Sequence, residues 1–467
     1  MPPWRRTASW AAAIFVSALL PRLYVAIAWA REPVWDGHYY DFGARRLAAG
    51  LGYSDDVVID GVTRWHPWCH YPVGYSAFLA GLYVVFGASA KVATIGNAVL
   101  GSALASLVYA LGARALGHAR GLVAGVLVAA MPELVVYSAL LMTEPLASLA
   151  PIAAALVAYR FREKYPLRGA ALAGVLLGLG TLVRPQTILG APGLFLLAID
   201  PSSIRDTLRR ALAFAGVASA SALLVVLPWT IRNCTVMDRC AFVSTNAGWN
   251  LAIGALPRAT GRFETLRATD GCPVVTGQAQ QDRCWMNAGV AAIRAEPKRF
   301  LALVPKKLAF TFDHASFPIG YLGEADKEGW SEDAKSRGRA ILTGAHRLLL
   351  AFASLAVLPS FFPRVGRGRA IAIGVTVALF GVLLAVVLRD EPRPFWWLAV
   401  LTPLALAVPT PGRTPLGPVL RYLVFTYGAV VVTHAIFFGE DRYHVVLTPV
   451  FALLAAAAWR RSSEIPE

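Results

Sequence analysis

The sequence predicts an all-α polytopic membrane protein with about twelve or thirteen transmembrane helices and one hydrophilic insertion, and three observations predict it. Of the 467 residues, 57% are hydrophobic and 15% charged, and the mean hydropathy is +0.54, whereas water-soluble domains carry about 25% charged residues. Apolar runs at 10–30, 94–113, 211–229 and 370–388 are each near the ~20 residues that cross a bilayer as a helix. The runs are continuously apolar instead of alternating, so they read as helices and not as strands of a barrel.

The first run follows Arg5 and Arg6 and ends in "AWA" before Arg31, the outline of a secretory signal. It is longer than the ~7–15 residues of a signal's apolar region, and Pro21-Arg22 interrupts it as a packed helix allows, so it is expected to stay as the first span. Basic residues set the orientation of the rest. Arg5 and Arg6, Arg114 and Arg120, "RFREKYPLR" (160–168), Arg205 to Arg210, "PRVGRGR" (363–369), Arg413 to Arg421 and "WRR" (459–461) mark one side, the cytoplasmic one by the positive-inside rule. The connections near 139–143, 184–186, 389–394 and 439–444 are then external, as are two longer segments, 31–90 and 229–340. This parity requires "YPVGYSAFLAGLYVVFG" (71–87) to lie in the interface or re-enter. If it crosses, parity downstream inverts or a further span must exist. The expected division is a transmembrane module (1–228) that includes the external loop 31–90, an external subdomain (229–340) and C-terminal transmembrane helices (341–467). A formal net charge of +16 belongs to cytoplasmic anchoring on an anionic membrane surface, and no nucleic-acid partner is expected.

All five cysteines fall in the two external segments, as an oxidising compartment favours. "CTVMDRC" and "CPVVTGQAQQDRC" make Cys234–Cys240 and Cys272–Cys284 the simplest pairs, with Cys69 left over; other pairings stay open.

Carboxylates near the spans are scarce, so those at external membrane boundaries carry the information: Asp36, Asp41 and Glu144. An ionisable group at the mouth of a membrane helix is a candidate for function. The structural alternatives are specific. In "TEP", Thr143 is placed to cap a helix with Glu144 at the favourable end of its dipole; Asp36 is placed to cap "YYDFGARRLAAG"; and Asp41 is placed to pair with Arg45 at i,i+4. Arg184, Arg232 and Arg442 come from separate external boundaries. Converging guanidiniums suit a phosphate, and snorkelling to headgroups is the alternative for each. "WHPWCH" (65–70) groups His66, Cys69 and His70 without an evident fourth ligand, which reads as structural more readily than as a metal site. Trp396 and Trp397 read as an aromatic belt.

Taken in order, "DGHYYDFGARRLAAGLGY", "YPVGYSAFLAGLYVVFG", "LMTEPLASL", "GLGTLVRPQ", "PWTIRN", "VSTNAGWNLAIG" and "DRYHVVLTPVFALLAAA" resemble the motifs of bacterial GT-C glycosyltransferases, similar to dolichyl-phosphate-mannose protein mannosyltransferases and lipid A aminoarabinose transferases. The resemblance runs from residue 36 to residue 457. It implies a GT-C-like fold and an enzyme that transfers a sugar from a polyprenyl-phosphate carrier with inversion, in the bacterial inner membrane with its site facing the periplasm. Asp36 matches the acidic residue of the first external loop, the catalytic base, and Glu144 the acidic position of the second. Arg184, Arg232, Arg442, Tyr443, Tyr71 and Asp41 are the expected donor-phosphate and substrate residues. Two departures stand out: "YPPG" is "YPVG" at Tyr71 to Gly74, and Asp36 is followed by Gly37 in place of an acidic neighbour. No metal ligands are therefore assigned, and a divalent metal is the one cofactor left open.

The chemistry agrees with this resemblance. An attacking hydroxyl loses its proton to a nearby carboxylate, and a phosphate leaving group needs charge stabilisation more than a proton. The expected partners are a polyprenyl-phosphate-linked sugar, membrane lipid, and a lipid, glycan or protein acceptor. A polyprenyl-linked glycan ligase or polymerase shares carrier and compartment. A secondary transporter, the more distant alternative, would carry internal repeats and broken helices at the midplane.

Overall fold

The computed structural model describes residues 3–198, 204–273, 277–360, 378, 394–408 and 416–458. The expected span 370–388, apart from residue 378, lies outside the described residues, as do the basic stretches 363–369 and 459–461, Arg413, and all but the last residue of the connection 389–394.

The described chain is a predominantly helical polytopic membrane protein. Its helices are α1 (Pro3–Ala28), α2 (Asp36–Ala48), α3 (Val73–Phe86), α4 (Ala90–Ala115), α5 (His118–Ala130), α6 (Pro132–Val136), α7 (Glu144–Phe161), α8 (Pro166–Val183), α9 (Gly190–Gly193), α10 (Phe195–Ala198), α11 (Ile204–Val236), α12 (Ala247–Ala255), α13 (Gln278–Ala295), α14 (Pro297–Phe312), α15 (Phe317–Ala325), α16 (Glu332–Ser354), α17 (Trp396–Ala407), α18 (Pro418–Ile436) and α19 (Thr448–Ala457). Among the described residues the only sheet is a hairpin of β1 (Ser54–Ile59) and β2 (Val62–Pro67). Its strands are antiparallel with Ser54 opposite Pro67, and the turn passes through Asp60 and Gly61 at positive φ.

Six of these helices are long and apolar enough to cross a bilayer, and a bent pair, 118–130 with 132–139, makes a seventh candidate. Among the described residues four further apolar helices are shorter: 73–86, which fits the interfacial or re-entrant reading of 71–87, and 185–198, 396–407 and 443–457. At ~1.5 Å per residue, α3 is about 21 Å long, short of the ~30 Å hydrocarbon core.

The bent pair shows why an arginine is buried inside an apolar bundle. Pro132 has no N–H for the carbonyl of Val128, four residues back, and breaks the helix there; the two halves meet at 53°. Arg22 of α1, with no exposed surface, donates to the carbonyls of Val128 (2.9 Å) and Ala129 (2.8 Å). The "PR" that interrupts the first apolar run thus supplies the cap that the next break requires.

Close helix approaches depend on small residues, as they do where lipid gives helices no hydrophobic reason to associate. Gly174 and Gly178 of α8 lie on Ala218 and Ala222 of α11 so closely that a Cβ at either would collide with backbone. The glycine of "YPVG" has the same cause: a Cβ on Gly74 would lie 2.6 Å from the carbonyl of Leu182, so α3 rests directly on the end of α8.

The two hydrophilic segments meet. Thr245 N donates to Cys69 O at 2.9 Å, and Gln278 Oε1 accepts from Cys69 N at 3.0 Å. Arg232 donates to the carbonyls of Tyr53 (2.6 Å) and Trp68 (3.1 Å) and stacks over Trp229. Both expected disulfides are present, Cys234–Cys240 and Cys272–Cys284, and Cys69 is free and buried. Mass-labelling of thiols on unreduced protein is therefore expected to add no label when folded, one after denaturation and five only after reduction. Replacing Cys272 and Cys284 with Ser is expected to cost about 2–4 kcal/mol, since the loop they close is short.

Candidate active site

The site is built where the start of α2, the start of α7, the end of α8 and the turn 440–443 converge. α2 begins abruptly at Asp36. The preceding Trp35 adopts a φ of 52°, a left-handed conformation that is unfavourable for a bulky residue unless its surroundings enforce it. Its ring rests against Phe317 and Tyr321, at 5.5 and 5.9 Å between centroids. Asp36 is the first residue of the helix and not its cap, so its carboxylate is free of the helix end.

That carboxylate has two partners. Tyr71 Oη donates to Oδ1 at 2.7 Å and Arg442 Nη1 to Oδ2 at 2.5 Å, with 22% of the Asp36 side chain exposed. Burial alone would raise the Asp36 carboxyl; the charge and hydrogen bond of Arg442, with the Tyr71 hydroxyl, outweigh it and hold the group below the usual aspartate value. Asp36 is therefore ionised at neutral pH.

A second ion pair lies beside the first. Glu144, with no exposed surface, opens α7, and Arg184 Nη2 at the end of α8 is 3.3 Å from its Oε1. Thr143 makes no side-chain cap to α7, so the capping geometry suggested by "TEP" is not formed. Neither Glu144 oxygen has a hydrogen-bond partner, nor does Arg184 Nη1. Unsatisfied buried groups are costly. The Tyr443 ring links the pairs, with the Arg184 guanidinium 5.1 Å and that of Arg442 5.2 Å from its centroid. His434 stacks on it at 4.2 Å. The hydroxyl of Tyr40 is raised well above its ordinary pKa by burial and then by Asp36, with Glu144, Arg184 and Arg442 also acting on it. All four charges thus lie around one residue.

Two expected substrate residues are engaged elsewhere. Asp41 pairs with Arg45 at 2.6 Å and accepts from the Tyr83 hydroxyl, the i,i+4 alternative. Arg232 is occupied by the carbonyls of Tyr53 and Trp68, where it ties the segment between α2 and α3 to the end of α11. In "WHPWCH", His66 pairs with Asp55 at 2.7 Å, Cys69 is buried against Thr245, and His70 packs edge-on to Tyr71 and Trp249.

Other site residues carried weaker signals. Glu440 contacts Arg442, and burial pushes its carboxyl up to about 7 against the pull of that arginine. Its place in "GEDRYH" beside Arg442 was the available hint. Phe317 lies under the Arg442 guanidinium at 5.0 Å, and nothing local in the sequence marks it.

Two cavities flank the charges. One, about 60 Å³, is a mainly apolar cleft between α7, α18 and the segment after α8, whose lining includes Ile152, Leu189, Val430 and Val450 together with Arg184. The other, about 230 Å³, lies among His70, Trp249, Arg267, Gln278 and Trp285, where the two hydrophilic segments meet.

Over residues 70–231 the sequence matches the family described as dolichyl-phosphate-mannose-protein mannosyltransferase, in agreement with the resemblance read from the motifs. This stretch contains Tyr71, Glu144 and Arg184 and leaves out Asp36, Arg232 and Arg442. No curated protein matches the sequence. Among solved structures, the apo form of the Archaeoglobus fulgidus oligosaccharyltransferase is similar at 13% identity and a TM-score of 0.49, over 96% of this chain and 50% of that one. Oligosaccharyltransferase AglB from the same archaeon, in complex with an inhibitory peptide and a dolichol-phosphate, gives 13% and 0.45, over 96% and 50%. ArnT from Cupriavidus metallidurans bound to undecaprenyl phosphate gives 17% and 0.36, over 96% and 77%. The chain spans about half the length of the archaeal enzymes it matches.

Proposed function

We propose that the protein is an inverting glycosyltransferase that moves a sugar from a polyprenyl-phosphate carrier to an acceptor at the external face of a bacterial inner membrane. The observation that carries the reading is the paired arrangement of Asp36 with Arg442 and Glu144 with Arg184 around Tyr443, with Arg184 also lining a mainly apolar cleft. The family match over 70–231 supports it. The 1–228 module and the C-terminal helices after 341 supply the charges, and the 229–340 subdomain supplies the flanking cavity.

In this reading the acceptor oxygen attacks the anomeric carbon, the C–O bond to phosphate breaks on the opposite face, and the acceptor proton passes to Asp36. The polyprenyl phosphate leaves as an anion stabilised by Arg442 and Arg184, while its tail stays in apolar surroundings. In the free protein Arg442 is held by Asp36. A donor phosphate competes for that guanidinium, and as the pairing with Asp36 weakens, the carboxylate becomes more basic. The second cavity, lined by aromatic rings and amide groups, suits the acceptor.

A glycan ligase would use the same cleft with a saccharide chain on its carrier. The test is to incubate the purified protein with polyprenyl carriers bearing one sugar or an oligosaccharide and to measure carrier release in the presence of an envelope extract. The reading predicts release from the monosaccharide phosphate at least tenfold faster; preference for the oligosaccharide carrier selects the ligase.

A further inference from the structure

Beneath the charged site lies a cluster that the transfer chemistry does not use. Glu133 of α6, His346 of α16 and His444 in the turn before α19 are fully buried, and a ligand atom from each lies within 4.8 Å of the others. Hydrogen bonds fix which ring nitrogens are available. His444 Nδ1 is 2.8 Å from the carbonyl of Thr311, and His346 Nε2 is 2.9 Å from that of Phe312. A carbonyl accepts only, so each of these nitrogens carries a proton and donates it. The lone pairs of neutral rings are then on His444 Nε2 and His346 Nδ1, which belong to the cluster.

Without a cation this arrangement leaves groups unsatisfied. His444 Nε2 faces Glu133 Oε2 at 3.1 Å, so a proton must sit between them. Even then Glu133 Oε1 and His346 Nδ1 have no hydrogen-bond partner, although both are completely buried and the two imidazoles stack at 3.7 Å. Two neutral imidazoles and a carboxylate are a common donor set for zinc-class ions. Outward ring N–H groups held by backbone carbonyls are the usual support for such ligands. Bonds of about 2.1 Å place tetrahedral ligand atoms about 3.4 Å apart, so the cluster needs to contract by little more than about 1 Å.

We propose that Glu133, His346 and His444 bind one divalent ion of the zinc class. The ion would join α6, α16 and the turn that carries Arg442, two residues before His444, and so fix the floor of the site without touching the reacting sugar. Glu133 follows Pro132 directly, so the break that Arg22 caps also delivers this ligand.

The full-length protein, purified in detergent without chelators, is expected to carry about one Zn2+ per chain by mass spectrometry. After chelator treatment it should rebind Zn2+ or Co2+ with sub-micromolar affinity, Co2+ giving visible d–d bands that Zn2+ abolishes. Glu133→Gln and His346→Ala should each weaken binding at least tenfold, whereas His66→Ala should not, since His66 lies in the other histidine group. His346→Cys retains a ligand and should add a near-ultraviolet thiolate-to-cobalt band, an assignment that does not depend on loss of binding. Stripped wild-type protein that takes up less than about 0.2 equivalents of Zn2+ or Co2+ would overturn the proposal, given the affinity such donor sets confer. So would His346→Ala binding as wild type does, or absence of the thiolate band in a cobalt-loaded His346→Cys protein. Zinc content and cobalt spectra are read without sugar transfer, so this test stands apart from that of the proposed activity.

Discussion

Asp36→Asn is expected to lower sugar transfer by about 100- to 10,000-fold, the range attributed to a positioned general base, or roughly 3–5 kcal/mol in the barrier. The amide keeps the size of the side chain and an oxygen that accepts from Tyr71. Asp36 makes no helix cap, so folding and insertion should survive. What disappears is the charge that pairs with Arg442 and the capacity to take a proton. Because that arginine is released from its internal partner, donor binding should hold or tighten while transfer collapses. Transfer within about threefold of wild type, far less than a base contributes, would remove Asp36 from that role and leave Glu144 as the acid to test.

Arg442→Gln is expected to produce the second-largest loss, on the order of 100- to 1,000-fold in kcat, the range seen when one oxyanion-stabilising donor is removed. Arg442 pairs with both Asp36 and Glu440. Its loss should also move the pH dependence. The Asp36 carboxyl is held below the ordinary aspartate range chiefly by Arg442, against burial. In wild type, therefore, the ionised base persists well into acid; in Arg442→Gln it is protonated at higher pH, and the acid limb of kcat/KM shifts upward. Arg442→Lys should recover part of the pH position but little of the rate, since an ammonium lacks the planar two-donor face. An unshifted acid limb in Arg442→Gln would show that the pair does not control the base.

Membrane class and helical content were legible because they depend on runs of composition, and the bilayer requires those runs. Asp36, Glu144, Arg184 and Arg442 were legible for a related reason: charge beside a span is rare, so its presence is informative. Arg232 and Asp41 carried the same signal and have other partners in the structure. One satisfies loop carbonyls and the other an i,i+4 arginine, and sequence spacing does not separate a charge occupied by backbone from one left free. The Cys234–Cys240 and Cys272–Cys284 pairs followed from proximity in sequence. Glu133, His346 and His444 did not, because their separation along the chain exceeds 300 residues between Glu133 and His444 and only tertiary packing brings them together.

The most direct test of the central claim follows a polyprenyl-phosphate monosaccharide labelled at its anomeric carbon, with wild-type and Asp36→Asn protein in lipid nanodiscs supplied with an envelope extract as acceptor. Release of polyprenyl phosphate and the anomeric configuration of the product are read by NMR on the same sample. The account predicts that wild-type protein releases the carrier phosphate and yields a product of inverted configuration, while Asp36→Asn binds the donor and turns over little. Retention of configuration, or equal turnover by the two proteins, would contradict it.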